Sequence, residues 1–216
     1  MGEQIVEMLR AHQSLSRREA RERAIALLDM VRIAAAEDRF SAYPHELSGG
    51  MRQRVAIAMA LANNPDIIIA DEPTTALDVT VQAQILTLLR DLAERRGTAL
   101  LFISHDFGVI SELCDRVAVM YAGRVVETGL TERILSRPAH PYTRRLIDCV
   151  PVPGQPRPSF EAIDGLPPPP DRLPPGCAFA ARCQRVEARC RGGDIALLPL
   201  DGDGSVRCIR PLDYGI

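Results

Sequence analysis

The chain has 216 residues, 46% of them hydrophobic, and a formal net charge of -2; it is long enough for one substantial core and a small appendage, and its charge gives no reason to expect nucleic acid as a partner. Its longest apolar stretches, TALLFIS and DIIIA, fall far short of the roughly 20 residues that cross a bilayer. Glu3, Glu7 and Arg10 interrupt the amino end where a signal peptide needs an apolar run, so any membrane role is expected to be peripheral and the protein cytoplasmic.

Residues 1 to 10 are predicted to form a short helix, and SRRE at Ser16 to Glu19 has capping-box spacing ahead of an apolar series at Ala20, Ala24, Leu27, Leu28 and Val31. Pro44 breaks the chain and LSGG supplies a turn. The next helix should bury Val55, Ala58, Met59 and Ala62 and stop before Asn63, Asn64 and Pro65. Ile67 to Ala70 is apolar on both sides, which suits a strand buried in a parallel sheet, with Asp71 and Glu72 at its carboxyl end. Asp78 is a candidate N-cap for a helix with Val81, Ile85, Leu88, Leu89 and Leu92 on one stripe, ended by Gly97. TALLFIS is a second buried strand. A short helix around Val109 to Cys114 leads into RVAVMY, and Ala122 and Gly123 turn the chain into RVVET as a hairpin. Helices resume around 131 to 149. Alternating strands and helices imply an α/β fold with a largely parallel sheet.

Between Pro151 and Pro175 ten of 25 residues are proline, so this stretch is expected to be an extended linker or wrapping arm. Beyond it Cys177, Cys183, Cys190 and Cys208 gather in a region too small for a large apolar core. In a reducing compartment such a cluster points to metal rather than disulfides. Cys114 and Cys149 fall inside predicted core elements and read as packing residues.

The carboxylate pair at the end of a buried strand lies where open α/β sheets bind ligands. Asp71 can hold magnesium directly or through water, and Glu72 can orient or deprotonate an attacking water, the positioning on which phosphoryl transfer depends. Alone, the motif would be an ordinary solvated turn. Ser48, Gly49 and Gly50, just before a helix, offer amides to an anion with little side-chain obstruction, although a plain N-cap with a glycine turn reads the same way. SHD at Ser104 to Asp106 puts His105 on the same sheet edge as Glu72.

Taken together, LSGGMRQR, IIIADEP, TTALD and SHD, in this order and spacing, resemble the carboxyl half of an ABC-type nucleotide-binding domain over roughly residues 1 to 135. The resemblance implies a partial P-loop NTPase fold with ATP and Mg2+ as its cofactors. It makes Ser48, Gly49, Gly50 and Gln53 the signature that contacts the γ-phosphate of ATP held by a second ATPase subunit. It also makes Asp71 the Walker B magnesium residue, Glu72 the catalytic base, Ala76 to Asp78 the D-loop and His105 the switch histidine. VTVQAQIL, HPYTRRLI at His140 to Ile147 and the late cysteines further resemble the ATPase subunits of oligopeptide, dipeptide and nickel importers, which work with transmembrane permease subunits on the inner face of the membrane. In some of that subfamily such cysteines hold a 4Fe-4S cluster. The spacing here, C-x5-C-x6-C-x17-C, matches neither ferredoxin pattern, and four thiolates equally suit structural zinc or remain unligated. The resemblance divides the chain into a helical subdomain with the signature (1–62), the carboxyl half of the ATPase core (63–150), a proline-rich linker (151–176) and a cysteine-bearing extension (177–216).

The phosphate loop G-x-x-x-x-G-K-[ST] needs a lysine, and all 26 basic residues here are arginine, whose planar fork is a poor substitute for a compact ammonium. Only 46 residues precede Leu47, so the chain is expected to start after that loop, to bind ATP poorly by itself, and to leave its sheet with an exposed apolar edge. Three readings follow: a truncated ATPase subunit of a peptide importer, a non-catalytic partner that supplies its signature in trans, and a chromosome-maintenance or repair ATPase. The last expects coiled-coil heptads or a hinge, and the chain has neither.

Overall fold

The computed structural model describes residues 1–150, 163–200 and 202–212, and these divide into two units, Met1–His105 and Asp106–Ile216, each with its own core.

In the first unit, α1 (Gly2–His12), α2 (Arg17–Met30), α3 (Ala36–Arg39), α4 (Gly49–Leu61) and α5 (Val79–Arg96) accompany β1 (Ile67–Asp71) and β2 (Ala99–Ile103). The predicted capping box closes at both ends: Glu19 N donates to Ser16 Oγ at 3.3 Å and Ser16 N to Glu19 Oε2 at 2.9 Å. Two otherwise orphaned amides are thereby satisfied and α2 starts where its apolar stripe begins. Ala20, Ala24, Leu27, Leu28 and Val31 are all buried in one core with Val55 and Ala58 of α4 and Ile85, Leu88 and Leu89 of α5. Asp78 caps α5 through a 2.9 Å bond from Val81 N, and Gly97 ends it in the left-handed conformation at φ 63°.

β1 and β2 pair in parallel, with Ile67 opposite Ala99 and Asp71 opposite Ile103. The expectation of strands buried on both faces is corrected here. Ile68 and Ala70 are buried, but Ile67, Ile69, Leu101 and Ile103 on the opposite face are exposed by 60%, 67%, 53% and 45%. The helices of this unit cover only one face of the pair, so alternation along each strand leaves every second residue in solvent. The exposed apolar surface is thus a face rather than the expected edge.

In the second unit, α6 (Phe107–Leu113), β3 (Arg116–Tyr121), β4 (Arg124–Leu130), α7 (Thr131–Ser136), α8 (Pro141–Asp148), β5 (Leu198–Leu200) and β6 (Gly204–Val206) follow in order. The hairpin forms as read: Ala122 and Gly123 have φ values of 49° and 75°, the double positive that a tight two-residue turn requires. The sheet order is β3-β4-β6-β5, antiparallel throughout. A largely parallel sheet is therefore wrong for the described residues, in which β1 and β2 are the one parallel pair. The difference arises because the cysteine-bearing region contributes β5 and β6, and β6 pairs with β4 at Glu127–Val206 and Thr128–Ser205.

Phe179 anchors this unit's core, 5.3 Å from both Tyr121 and Tyr142 between ring centres. Of the proline-rich segment, 151–162 lies outside the described residues, and 163–176 carries no helix or strand. Cys114 and Cys149 stand at the carboxyl caps of α6 and α8 and are half-buried, rather than inside core elements.

Candidate functional site

At the carboxyl end of β1 the chain turns sharply. Asp71 is the strand's last residue and is exposed, Glu72 takes a left-handed φ of 45°, and Pro73 is buried behind it. Glu72 N donates to the Ile103 carbonyl at 3.0 Å, which ties this turn to the end of β2 two residues before His105. Both oxygens of the Glu72 carboxylate are engaged: His105 Nδ1 lies 3.0 Å from Oε1 and Thr75 Oγ1 donates to Oε2 at 2.9 Å. A carboxylate only accepts, so Nδ1 carries the imidazole proton. The His105 bond first and the Thr75 bond second hold the Glu72 carboxyl below its ordinary pKa. The pair is open to water, with His105 81% and Glu72 46% exposed at the side chain. The result is an ionised carboxylate, oriented by two donors and reachable by a substrate, beside a second exposed carboxylate. Thr75 was not singled out by sequence reasoning, although its place three residues after Glu72 is the ordinary spacing of a side chain that bonds back across a turn.

Ser48, Gly49 and Gly50 sit differently from the predicted turn. Ser48 is the N-cap of α4, with Oγ accepting from Met51 N at 3.3 Å, and both glycines already belong to the helix. Ser48 and Gly49 are exposed, as an anion site requires, but Gly50 is buried. A Cβ on Gly50 would stand 2.6 Å from Val81 Cγ1, so this glycine lets the start of α4 press against the first turn of α5. Gln53 follows one turn later, half-buried. Asp78 is exposed but is committed to the cap of α5. The first unit thus brings Asp71, Glu72 and His105 to one sheet edge, and it packs the signature segment against the segment that follows Asp78.

In the second unit Cys177, Cys183, Cys190 and Cys208 all line one pocket, together with His140 and Phe179. Gly176, at φ 81°, makes this possible: its missing Cβ would fall 2.5 Å from the Cys190 carbonyl, to which Cys177 N donates at 2.9 Å. Backbone amides point at the sulfurs, from Arg185 to Cys183 and from Glu187 to Cys190, each at 3.4 Å. The amides of Phe179 and Arg210 likewise favour ionised Cys177 and Cys208. Burial works against them, raising Cys177 and Cys183 and pushing Cys208 up to about 11. Yet no group of three or more His, Cys, Asp or Glu side chains among the described residues stands ready to hold a metal ion.

A buried polar network adjoins this cavity, and sequence reasoning missed it. Glu127, fully buried, accepts from Ala139 N at 2.7 Å, His140 N at 2.8 Å and Arg133 Nη1 at 3.0 Å. In RVVET it reads as an outward residue of a two-stranded hairpin. The signal that distinguishes it, the later return of α7 and α8 over β4, is tertiary.

Comparison with known proteins gives two family matches. Residues 2–75 match the ABC transporter family and residues 126–190 the oligopeptide/dipeptide transporter C-terminal region. The oligopeptide transport ATP-binding protein AppD of Bacillus subtilis (strain 168) is 50% identical over 208 residues, 96% of this chain and 63% of AppD. The probable D,D-dipeptide transport ATP-binding protein DdpD of Escherichia coli (strain K12) is 52% identical with the same coverage. The probable peptide ABC transporter ATP-binding protein y4tR of Sinorhizobium fredii (strain NBRC 101917 / NGR234) is 53% identical over 211 residues, 97% of this chain and 63% of y4tR. The chain therefore spans under two thirds of the length of these curated relatives. Among solved structures, the ATP-binding cassette MJ0796, determined as a dimer in a post-hydrolysis state bound to ADP and Pi, is similar with a TM-score of 0.52 and 37% identity, over 60% of this chain and 56% of that one.

Proposed function

This chain belongs to the ABC transporter family, in its oligopeptide/dipeptide branch, and from that premise we propose that it carries the signature and hydrolytic half of the ATP site in the ATPase subunit of a peptide importer. The observation that carries the reading is Glu72, ionised and held at both oxygens by His105 and Thr75 at the exposed edge of the parallel strand pair. Such a carboxylate orients an attacking water and takes its proton, while His105 steadies it and can turn to the terminal phosphate. Asp71 beside it would hold magnesium, which would offset phosphate charge when bound. Exposed Ser48 and Gly49 at the start of α4, with Gln53 one turn on, would meet the γ-phosphate of a nucleotide cradled by a second ATPase subunit.

On this reading the partners are a second ABC ATPase subunit and transmembrane permease subunits, with the chain peripheral on the inner membrane face; no helix among the described residues is long and apolar enough to cross a membrane. The four functional segments are residues 1–62, 63–150, 151–176 and 177–216. Mixed with an intact relative that has a phosphate-loop lysine, the chain should raise ATP turnover, and Ser48→Arg or Glu72→Gln should remove the gain. Unchanged turnover on mixing, or brisk hydrolysis by the isolated chain, would sink the proposal.

For the cysteines we propose a 4Fe-4S cluster, with structural zinc as the alternative, since four thiolates suit either. No group of three or more metal-binding side chains is assembled among the described residues, so either metal centre would have to draw the thiols together as it bound. The amides of Arg185 and Glu187, aimed at Cys183 and Cys190, favour the thiolates that a cluster takes up, against the burial that raises Cys183. Bound there, a cluster would cross-link a region that has few apolar residues with which to fold itself. Brown colour and broad visible absorbance after anaerobic purification are expected. A colourless protein containing zinc would refute the cluster.

A further inference from the structure

Tyr43 to Glu46, just ahead of the signature segment, are all exposed, yet the chain holds them stiffly. Pro44–Glu46 is a 3-10 turn in which Glu46 N donates to the Tyr43 carbonyl at 3.0 Å, while Tyr43 N donates back to Glu46 Oε2 at 2.7 Å. Leu47, 6% exposed, pins the end of this turn into the core, and exposed Ser48 and Gly49 follow at once. On the turn the Tyr43 and His45 rings stack, 5.6 Å between centres and 11° from parallel, within the range of offset-stacked aromatic pairs. Tyr43 is nevertheless 65% exposed. A ring kept in water on a fixed backbone loses little freedom when a flat group is laid on it.

Three residues at the ~2.0 Å rise of a 3-10 turn and two extended ones put Tyr43 at most roughly 13 Å from Ser48 along the chain. That matches the reach from the terminal phosphate of an extended nucleoside triphosphate to its base. Resting on the reading above that a second ATPase subunit cradles this nucleotide, we propose that Tyr43, with His45 stacked behind it, is the platform for the base of the nucleotide whose γ-phosphate meets Ser48 and Gly49. Every base has a π face, so such a platform adds affinity without choosing among bases.

The experiment mixes the full chain with an intact relative that has a phosphate-loop lysine and follows the stimulated turnover against ATP concentration. Tyr43→Ala should raise the half-saturating ATP concentration about tenfold, the share of one stacked base, and leave the stimulated rate at saturation close to wild type. Tyr43→Phe keeps the ring face and should restore the wild-type value to within about twofold. Tyr43→Leu, apolar but without a π face, should not. An unchanged half-saturation in Tyr43→Ala, rescue by leucine as complete as by phenylalanine, or a loss confined to the saturating rate overturns the platform and leaves the signature reading standing. A wild-type chain that fails to stimulate the relative overturns both. Should Tyr43→Ala fail to fold, the contrast between Tyr43→Phe and Tyr43→Leu decides by the same measurement.

Discussion

Glu72 and Glu127 are both carboxylates met by well-placed donors, but one stands in water and the other is sealed from it. Glu72 accepts from His105 and Thr75 with nearly half its side chain exposed, and Glu127 accepts from two amides and an arginine with none. In water a lost bond is replaced by solvent, so the Glu72 contacts set protonation and aim more than stability. In the interior nothing replaces it, and the Glu127 contacts hold up the fold. The polar contacts at the open strand edge are those the protein can release cheaply. Those that shape the cysteine cavity are fixed.

The contrast is tested most severely by Glu127→Ala. It strips a common acceptor from Ala139 N, His140 N and Arg133, and loss of one partner of a buried ion pair costs ~3–5 kcal/mol. Unfolding of the second unit, followed by chemical denaturation of the whole chain, should shift by that amount or vanish into a partly unfolded baseline. A loss below ~1 kcal/mol would show that water reaches the network and that the two carboxylates are alike after all.

Gly176→Ala should rank next. The left-handed backbone alone costs an L-residue ~1–2 kcal/mol, and a Cβ 2.5 Å from the Cys190 carbonyl forces the Cys177 and Cys190 segments apart, adding ~1–3 kcal/mol of strain. Metal uptake by anaerobically purified protein should fall together with stability. If stability drops but iron content is unaffected, the close approach of the two segments is not what shapes the cavity.

Local signals in the sequence were well read where neighbours within one turn decide the outcome. The Ser16–Glu19 box, the Asp78 and Gly97 caps and the Ala122–Gly123 turn all form. So was the sheet edge carrying Asp71, Glu72 and His105, because two strands of similar pattern, each followed by polar residues, put those residues at matching ends. Burial of both strand faces was misjudged, since an apolar run shows that a face can be covered and not that anything covers it. The antiparallel sheet was missed because β5 and β6 are three residues each and β6 reaches β4 across nearly 80 residues of sequence. Glu127 and His140 belong to the same class of error: their burial comes from elements far along the chain.

Within the first unit, Ser16→Ala measures what an exposed but purely structural bond is worth. It removes one half of the capping box and should cost about 1 kcal/mol, within the usual ~0.5–2 kcal/mol for a lost N-cap. Thermal unfolding should register it without any change at Glu72. The substitution places a lower mark on the scale between the buried network and the exposed strand edge: a cap in water matters to α2 because the amide it serves has no other partner in the helix.

His105→Ala should have the smallest effect on stability and the clearest effect on titration. Glu72's carboxyl is depressed in the folded protein, principally by the His105 bond. Whatever it contributes to stability is present above the unfolded carboxylate pKa and fades as pH falls through the lower, folded value. Removing His105 should move the folded titration up toward the ordinary carboxylate range, Thr75→Ala should move it less, and the acidic window in which stability is lost should narrow accordingly. Thermal midpoints at pH 7 should barely change, because both partners are largely in solvent. Carbon-detected NMR of the Glu72 carboxyl across pH 2 to 7 reads the shift directly. A titration unmoved by His105→Ala would mean that the histidine neither orients nor ionises the carboxylate, and Glu72 would then be an ordinary surface residue at the end of a strand. A shift without a stability change is what separates an aimed base from a brace like Glu127.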